Sequence, residues 1–411
     1  MTAFPGIRPA DIYLPAPGTD LSRWAVVACD QFTSDPAYWQ RVENLVKDAP
    51  STLRLIQPEA LLGQGDNTEK INACMQEYLN SGTLIKAVEN GFVITERTTS
   101  SGKRIGLMAA FDLEEYDFVS SDRLTRATEG TVRDRLPPRV KIRENAPLEL
   151  PHVLVLLDDP EFTVIERAYS AASDLLYDFE LMEKGGHLRG WSLCEPAELE
   201  KLSLALNALK EKSGGFLYAV GDGNHSLATA KLCWEKLKPQ LSTGERENHP
   251  ARFALAELVN LHSASIVFEP IHRVIFNSGI TDLSEGFAAA LTEKGVKFER
   301  SSKDSGDIVF VSGGYTQAFD IPGDMLPLSL LQPWLDGYIP AHPKAGIDYI
   351  HGDETVMTLS KNENCTGILL KAIKKDGFFD AIRAGGSLPR KTFSMGNAEE
   401  KRYYLECRRI K

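Results

Sequence analysis

The chain has 411 residues, a formal net charge of −11, 43% hydrophobic and 25% charged residues. That length exceeds what one hydrophobic core usually organises, at roughly 100 to 200 residues per domain, and the ordinary composition argues against extensive disorder. The acidic balance argues against a general nucleic-acid binder, which needs surplus Lys and Arg, and no window approaches the roughly 18 uncharged apolar residues of a membrane helix.

The opening MTAFPGIRPADIYLPAPG lacks a basic start followed by an apolar core, so a cytoplasmic protein is expected. Trp24 to Cys29 is an apolar run ending in Asp30 and Gln31, and Ser34, Asp35 and Pro36 read as the cap and first turn of a helix over Tyr38 to Val46. A second helix starts at Asn67 or Thr68, with Ile71, Met75, Tyr78 and Leu79 on one face and Gly82 beyond its end. Phe92 to Arg97 and Arg104 to Phe111 predict a hairpin. Asp122 to Glu144, highly charged and interrupted by Pro137 and Pro138, predicts an irregular surface connection.

Next come a strand over His152 to Leu157 ending in Asp158 and Asp159, helical periodicity over Glu161 to Met182, and a helix over Pro196 to Lys212 stopped by Gly214 and Gly215. A strand over Phe216 to Val220, the loop Gly221 to Asn224 and a helix from about Ser226 to Lys238 follow. Further strands are expected at Ala256 to His262, Ser265 to Phe268 and Arg273 to Phe276. Beyond them the pattern predicts a helix over Leu283 to Leu291, a strand over Ile308 to Ser312 and a helix over Pro327 to Leu335. The last part shows a strand at Ile368 to Ile373, a short helix after Gly377, the loop Gly385 to Lys391 and a strand over Tyr403 to Arg409. The alternation predicts an α/β fold with α+β mixing, divided into residues 1–121, a central lobe 122–276 and a C-terminal lobe 277–411 whose last strand can return to the core.

The sharpest chemical candidate is Gly221-Asp222-Gly223-Asn224-His225-Ser226. Glycines let the backbone bend, and the first N–H groups of the following helix favour an anion. Asp222 can then hold a metal ion or accept a proton, and His225 can stabilise charge. A capped tight turn is the competing reading of the same residues. Asp30, Gln31 and the Asp158-Asp159 pair stand at strand ends, where ligand groups collect in open α/β sheets. His272-Arg273 and the basic turn Leu388-Pro389-Arg390-Lys391-Thr392 can grip an oxyanion. Hydrolase, kinase and zinc signatures are missing, and the six cysteines have no C-x-x-C spacing, which speaks for reduced thiols.

Phe4-Pro5-Gly6-Ile7-Arg8-Pro9, the Asp222-Gly223-Asn224-His225 loop, His272-Arg273 and Leu388-Pro389-Arg390-Lys391 together resemble the family called domain of unknown function 1015, over nearly the whole chain. The resemblance implies a ParB/sulfiredoxin-like nucleotide-binding lobe with additional α/β lobes, among whose relatives are free-serine kinases. Many relatives carry Asp-Gly-His-His-Arg, so Ser226 stands where an arginine would grip phosphate, and Arg273, Arg390 or the Arg139 to Arg143 stretch would supply that cation. The expected function is a phosphate- or nucleotide-binding enzyme, a phosphotransferase acting on a small metabolite. Asp222 and His225 would be catalytic. Gly221, Gly223, Asn224, Ser226, His272, Arg273, Arg390 and Lys391 would bind phosphate, and Asp222 would hold Mg²⁺ brought with a nucleotide. The alternative is a non-catalytic nucleotide-binding regulator of ParB-like type, and sequence-specific DNA binding ranks last. The partner expected is a small anionic molecule.

Overall fold

In the neighbouring strands Leu84–Thr99 and Gly102–Asp112, successive side chains point to opposite faces. Phe92, Ile94, Leu107, Ala109 and Phe111 therefore enter one core, and Val93, Met108 and Ala110 enter another. Both faces are covered, which is why Phe92 to Ile94 and Leu107 to Phe111 read as unbroken apolar runs. The computed structural model describes residues 3–33, 35–61, 65–119, 122–323 and 326–411, apart from the side chains of 384 and 385. Ser34, expected in a helix cap, lies outside the described residues.

The chain forms two compact units, one of Met1–Val267 with Gly396–Lys411 and one of Phe268–Met395. These packing boundaries fall before Phe268 and after Met395, whereas composition divides the chain at 121 and 276.

The first unit is built on an 11-stranded mixed sheet. Its order runs Leu175–Leu181, Gly186–Leu193, Leu84–Thr99, Gly102–Asp112, Phe253–Asn260, Leu154–Leu157, Tyr218–Asp222, Thr125–Ala127 and Tyr116–Asp117, with Ile7–Arg8 and Ala10–Pro15 pairing off this path. Phe253–Asn260 runs parallel to Leu154–Leu157, and Tyr218–Asp222 parallel to Thr125–Ala127. Helices Pro196–Lys212 and Asn224–Leu237 cover one face through Leu199, Leu202, Leu206, Leu227 and Trp234. Helix Thr68–Asn80 covers the other through Ile71 and Met75, together with Tyr403, Leu405 and Cys407 of the returning tail.

That tail is held by buried charge. Arg402, fully enclosed, lies 2.6 Å from Glu257 and pairs with Glu406, which accepts a hydrogen bond from Tyr177 at 2.6 Å. Arg408 meets Glu149 at 2.6 Å and donates to the carbonyls of Pro250 and Phe253. Such pairs cost desolvation, and their geometric demands give the tail one seat.

In the second unit a seven-stranded antiparallel sheet runs Glu299–Ser301, Tyr315–Asp320, Ile308–Ser312, Cys365–Leu370, Phe268–Phe276 and Gly346–His351, with Phe393–Met395 pairing the start of Phe268–Phe276. Helices Ile280–Glu293 and Leu328–Ala341 close a core of Leu283, Phe287, Leu291, Phe310, Phe319, Leu331 and Leu335. Among the described residues of the chain, no helix is long and apolar enough to cross a membrane.

Two expectations need correction. The stretch 122–144 is not irregular: it holds the strand Thr125–Ala127, a turn of 3-10 helix at Arg133–Arg135 and the helix Leu136–Arg143. Pro137 and Pro138 occupy the first helical turn, where the missing N–H costs nothing. Nor is Glu161 to Met182 one helix. Ile165–Tyr169 is a single short helix, and Leu175–Leu181 forms a hairpin with Gly186–Leu193 around Glu183 and Lys184, both at positive φ. Smaller differences concern lengths: Trp24 ends a helix from Leu21, and Phe268–Phe276 is one strand rather than pieces of two.

Candidate functional site

Strand Tyr218–Asp222 leaves the sheet through Gly223, whose φ of 82° caps helix Asn224–Leu237. A Cβ on Gly223 would come within 3.0 Å of the Val153 backbone, so the turn requires glycine for both space and conformation. The helix thus starts before Ser226, Asn224 lies inside it, and Gly221 belongs to the strand.

Asn224 is buried and acts as a joint. Its Oδ1 accepts from the Thr128 N–H at 3.3 Å, and its amide donates to Thr128 Oγ1 and the Val220 carbonyl, both at 3.4 Å. His225 accepts from the Val132 N–H through Nε2 at 3.2 Å, which places the proton of a neutral ring on Nδ1. Asp222 accepts from the Gly223 N–H at 2.8 Å through Oδ1, while its Oδ2 faces Lys401 Nζ at 3.2 Å.

Lys401 arrives from the returning tail, and its side chain is only 8% exposed. Arg97, itself buried, fixes the backbone there by donating to the carbonyls of Glu399, Glu400 and Lys401 at 2.6, 2.9 and 2.7 Å. A further bond to the Gly185 carbonyl, at 2.9 Å, anchors the guanidinium to the neighbouring hairpin. Burial would raise the Glu400 carboxyl, yet hydrogen bonds from Ser101, Thr99 and Asn397 hold it at about 2. Three segments distant in sequence, the Arg97 strand with its turn, the Gly185 hairpin and the tail, therefore aim one ammonium at the strand-helix corner.

Around it lie further ionisable groups. His152 Nδ1 is 2.7 Å from the Tyr404 hydroxyl, and burial lowers the His152 pKa against the opposing fields of Asp222 and Glu59. Burial likewise drives the Tyr404 hydroxyl up, so it stays protonated. Arg139 holds Glu59 at 2.5 Å, and both also act on His152. The Cys29 thiol is pushed up to about 12 by burial, with the Gln31 backbone and Lys401 lowering it and Asp30 and Asp222 raising it. Asp30 itself is exposed on the 3-10 turn Asp30–Phe32. The structure thus brings Asp30, Gln31, Arg139, Asp222 and His225 into one region of the first unit.

Lys401, His152, Glu59 and Tyr404 join them, and sequence reasoning missed all four. Lys401 sits in Glu399-Glu400-Lys401-Arg402, which reads as a solvated charge run. Among the described residues, no three His, Cys, Asp or Glu side chains gather to hold a metal ion. Asp222 meets a lysine rather than a second carboxylate.

The basic candidates lie in the second unit and are occupied there. His272 is buried, accepts from the Leu370 N–H through Nδ1 at 3.1 Å and pairs with Asp353 through Nε2 at 2.7 Å. Arg273, fully enclosed, donates to Gln332 Oε1 at 2.9 and 3.0 Å, to the Ile271 carbonyl and to the Arg390 carbonyl at 3.1 Å. Arg390 reaches Asp336 at 2.7 Å and the Tyr349 hydroxyl at 3.2 Å, and Lys391 follows it at a φ of 55°. Of the acidic pair at 158 and 159, Asp159 binds the Val164 N–H at 2.9 Å as a turn residue, and Asp158 meets His262 at 2.7 Å.

The chain belongs to the family described as protein of unknown function DUF1015, which matches residues 7–407. No curated protein matches it in sequence. Among solved structures it is similar to a free serine kinase in complex with AMP, with 10% identity and a TM-score of 0.40 over 74% of this chain and 92% of that one. A conserved hypothetical protein from Pyrococcus furiosus gives 10% identity and a TM-score of 0.38 over 72% and 94%. SbnI with a C-terminal truncation, from Staphylococcus aureus, gives 8% and 0.39 over 70% and 82%. At such identities and scores these likenesses carry no argument about activity.

Proposed function

We propose that this member of the DUF1015 family binds the phosphate of a nucleotide or small metabolite at the corner formed by Asp222, His225 and Lys401, and transfers a phosphoryl group there. One observation carries the reading: a nearly buried ammonium is held 3.2 Å from Asp222, beside the start of helix Asn224–Leu237. A helix start attracts negative charge, and a lysine on a fixed backbone adds a point charge that needs no reorganisation. Lys401 is the cation that Ser226 does not supply. Arg139 is a second, and the Asp222 carboxylate can take the proton of an attacking hydroxyl, since phosphoryl transfer rests mainly on positioning and charge. Mg²⁺ fits only as an ion brought with the phosphates, for which Asp222 would be the protein carboxylate and which would neutralise phosphate charge. That this lobe is of the ParB/sulfiredoxin type is part of the same reading.

The ion pair with Lys401 also favours a second reading, a non-catalytic nucleotide-binding regulator, because it occupies the carboxylate that a general base needs. Calorimetric titration of the full chain with ATP, ADP and AMP tests both. Saturable binding weakened about tenfold or more by Lys401→Ala supports the site, as loss of a charge-assisted contact is worth about 1.5 to 3 kcal/mol. Product formation abolished by Asp222→Asn supports transfer, and binding without turnover supports the regulator. Unchanged affinity in a folded Lys401→Ala variant removes both.

A further inference from the structure

The motif Phe4 to Pro9 plays no part in the Asp222 corner, and its geometry has a purpose of its own. Gly6, at a φ of 67°, packs against the Tyr218 ring, whose hydroxyl donates to the Pro5 carbonyl at 2.8 Å. The chain then pairs Ile7–Arg8 with Gly102–Asp112 but Ala10–Pro15 with Leu84–Thr99. Pro9 crosses between the two partners. This parting of neighbouring segments, together with the positive φ of Asn90, opens a cavity of about 390 Å³ bounded by Arg8, Asp11, Tyr13, Asn90, Arg408 and Arg409. That is room for roughly a dozen waters, or one small metabolite.

The charges of this cavity do not cancel locally. Asp11 is held by Lys86 at 2.8 Å and by the Asn90 N–H at 2.9 Å. Arg408 is spent on Glu149 and on backbone carbonyls. Arg8 stacks its guanidinium face on Phe253 with 3.4 Å to the ring centroid, a contact that uses no N–H. Among the described residues no carboxylate lies within ion-pair distance of Arg8. Asp112 acts on it from further away, but Arg252 already takes both Asp112 oxygens at 2.9 and 2.6 Å. Burial first, then Arg408 and Arg252, lower the Arg8 pKa to about 10, and Asp112 only partly offsets them. Arg409 is exposed at the rim, over the Tyr13 ring at 5.7 Å.

We propose that this cavity is a second ligand site, built to take the oxyanion of a small organic acid or phosphate on the Arg8 guanidinium, with Arg409 closing over it. It shares no residue with the Asp222 corner. A planar fork backed by an aromatic ring offers paired N–H donors to carboxylate or phosphate alike.

The test titrates the full-length Lys401→Ala variant with succinate and with inorganic phosphate at constant ionic strength, a background in which the other site is weakened about tenfold. Saturable binding of at least one probe is expected, and which probe binds identifies the carboxylate or phosphate source. Adding Arg8→Ala should weaken it tenfold or more, adding Arg8→Lys several-fold, and adding the exposed Arg409→Ala about threefold to tenfold. No saturable binding of either probe overturns the proposal. So does binding that stays within twofold after both Arg409→Ala and Arg8→Lys, even if Arg8→Ala fails to fold. Neither result touches the nucleotide reading, which stands or falls on ATP, ADP and AMP binding to the unsubstituted chain.

Discussion

The sequence marks two regions as anion sites, the Gly221 to Ser226 loop of the first unit and the basic pairs His272-Arg273 and Arg390-Lys391 of the second, and they differ in what the cations there already do. In the second unit, Arg273 and Arg390 are tied into Gln332, Asp336, Tyr349 and neighbouring carbonyls, and His272 uses both ring nitrogens. In the first unit, the cation that reaches the strand-helix corner is Lys401, which no local pattern singles out. A basic dipeptide shows where charge can be, whereas only tertiary contacts show whether its hydrogen-bonding capacity has been spent on the fold.

The sharpest way to break this contrast is to attack the seat of the tail. Glu257→Ala removes one of the two buried carboxylates that hold the fully enclosed Arg402, leaving it Glu406 alone, and should cost about 3 to 5 kcal/mol in urea unfolding, as for other broken buried pairs. A loss below about 1 kcal/mol would show that the network does not anchor the tail. Arg97→Met comes next. It removes the bonds to Gly185, Glu399, Glu400 and Lys401, with an expected cost of about 3 kcal/mol and, in the surviving folded fraction, weaker nucleotide binding. Retained affinity would mean that Lys401 needs no scaffold.

Paired substitutions sharpen the comparison further. Lys401→Ala should lower nucleotide affinity about tenfold, while Arg390→Ala, whose ion pair with Asp336 is half exposed, should leave it within twofold and cost under about 1 kcal/mol of stability. A larger effect of Arg390 on binding would restore it as a ligand group. The smallest effect concerns pH. Burial lowers the His272 pKa despite Asp353, so the unfolded chain, with a value near 6.5, takes up the proton first. The neutral ring's contribution is complete above about 6.5 and is lost as pH falls from there through the lower folded value. His272→Gln should flatten the acid-side slope of thermal stability, and parallel slopes in variant and parent would refute the assignment.

Legibility followed how local the deciding interactions are. Helix Pro196–Lys212 was readable because Pro196 starts it and two glycines at positive φ end it. The corner at Gly223 was readable because a sharp strand-to-helix turn needs glycine. Pro137 and Pro138 misled because a proline pair marks a helix start as readily as a loop. Leu175–Leu181 misled because its alternation lies beside a short true helix at Ile165–Tyr169. Lys401 was invisible since the guanidinium that positions its backbone is Arg97, on a strand far away in the chain, and nothing within Glu399 to Arg402 encodes that contact. Asn224 is legible as part of the loop but not as a joint, because its partner Thr128 lies in a stretch whose charge and prolines read as an irregular connection.

The route of the backbone sets an order of events during synthesis. Trp24 donates to the Leu405 carbonyl, Thr52 to the Tyr404 carbonyl, and Tyr403 pairs with Val27, so the first unit is stitched shut by residues that follow the second unit in the chain. A nascent polypeptide emerging from the ribosome exposes the 268–395 stretch, with its own apolar core, before those stitches exist. Contacts of such sequence separation form slowly. The corner at Asp222 waits for Lys401 and therefore forms only after the 268–395 stretch has been made.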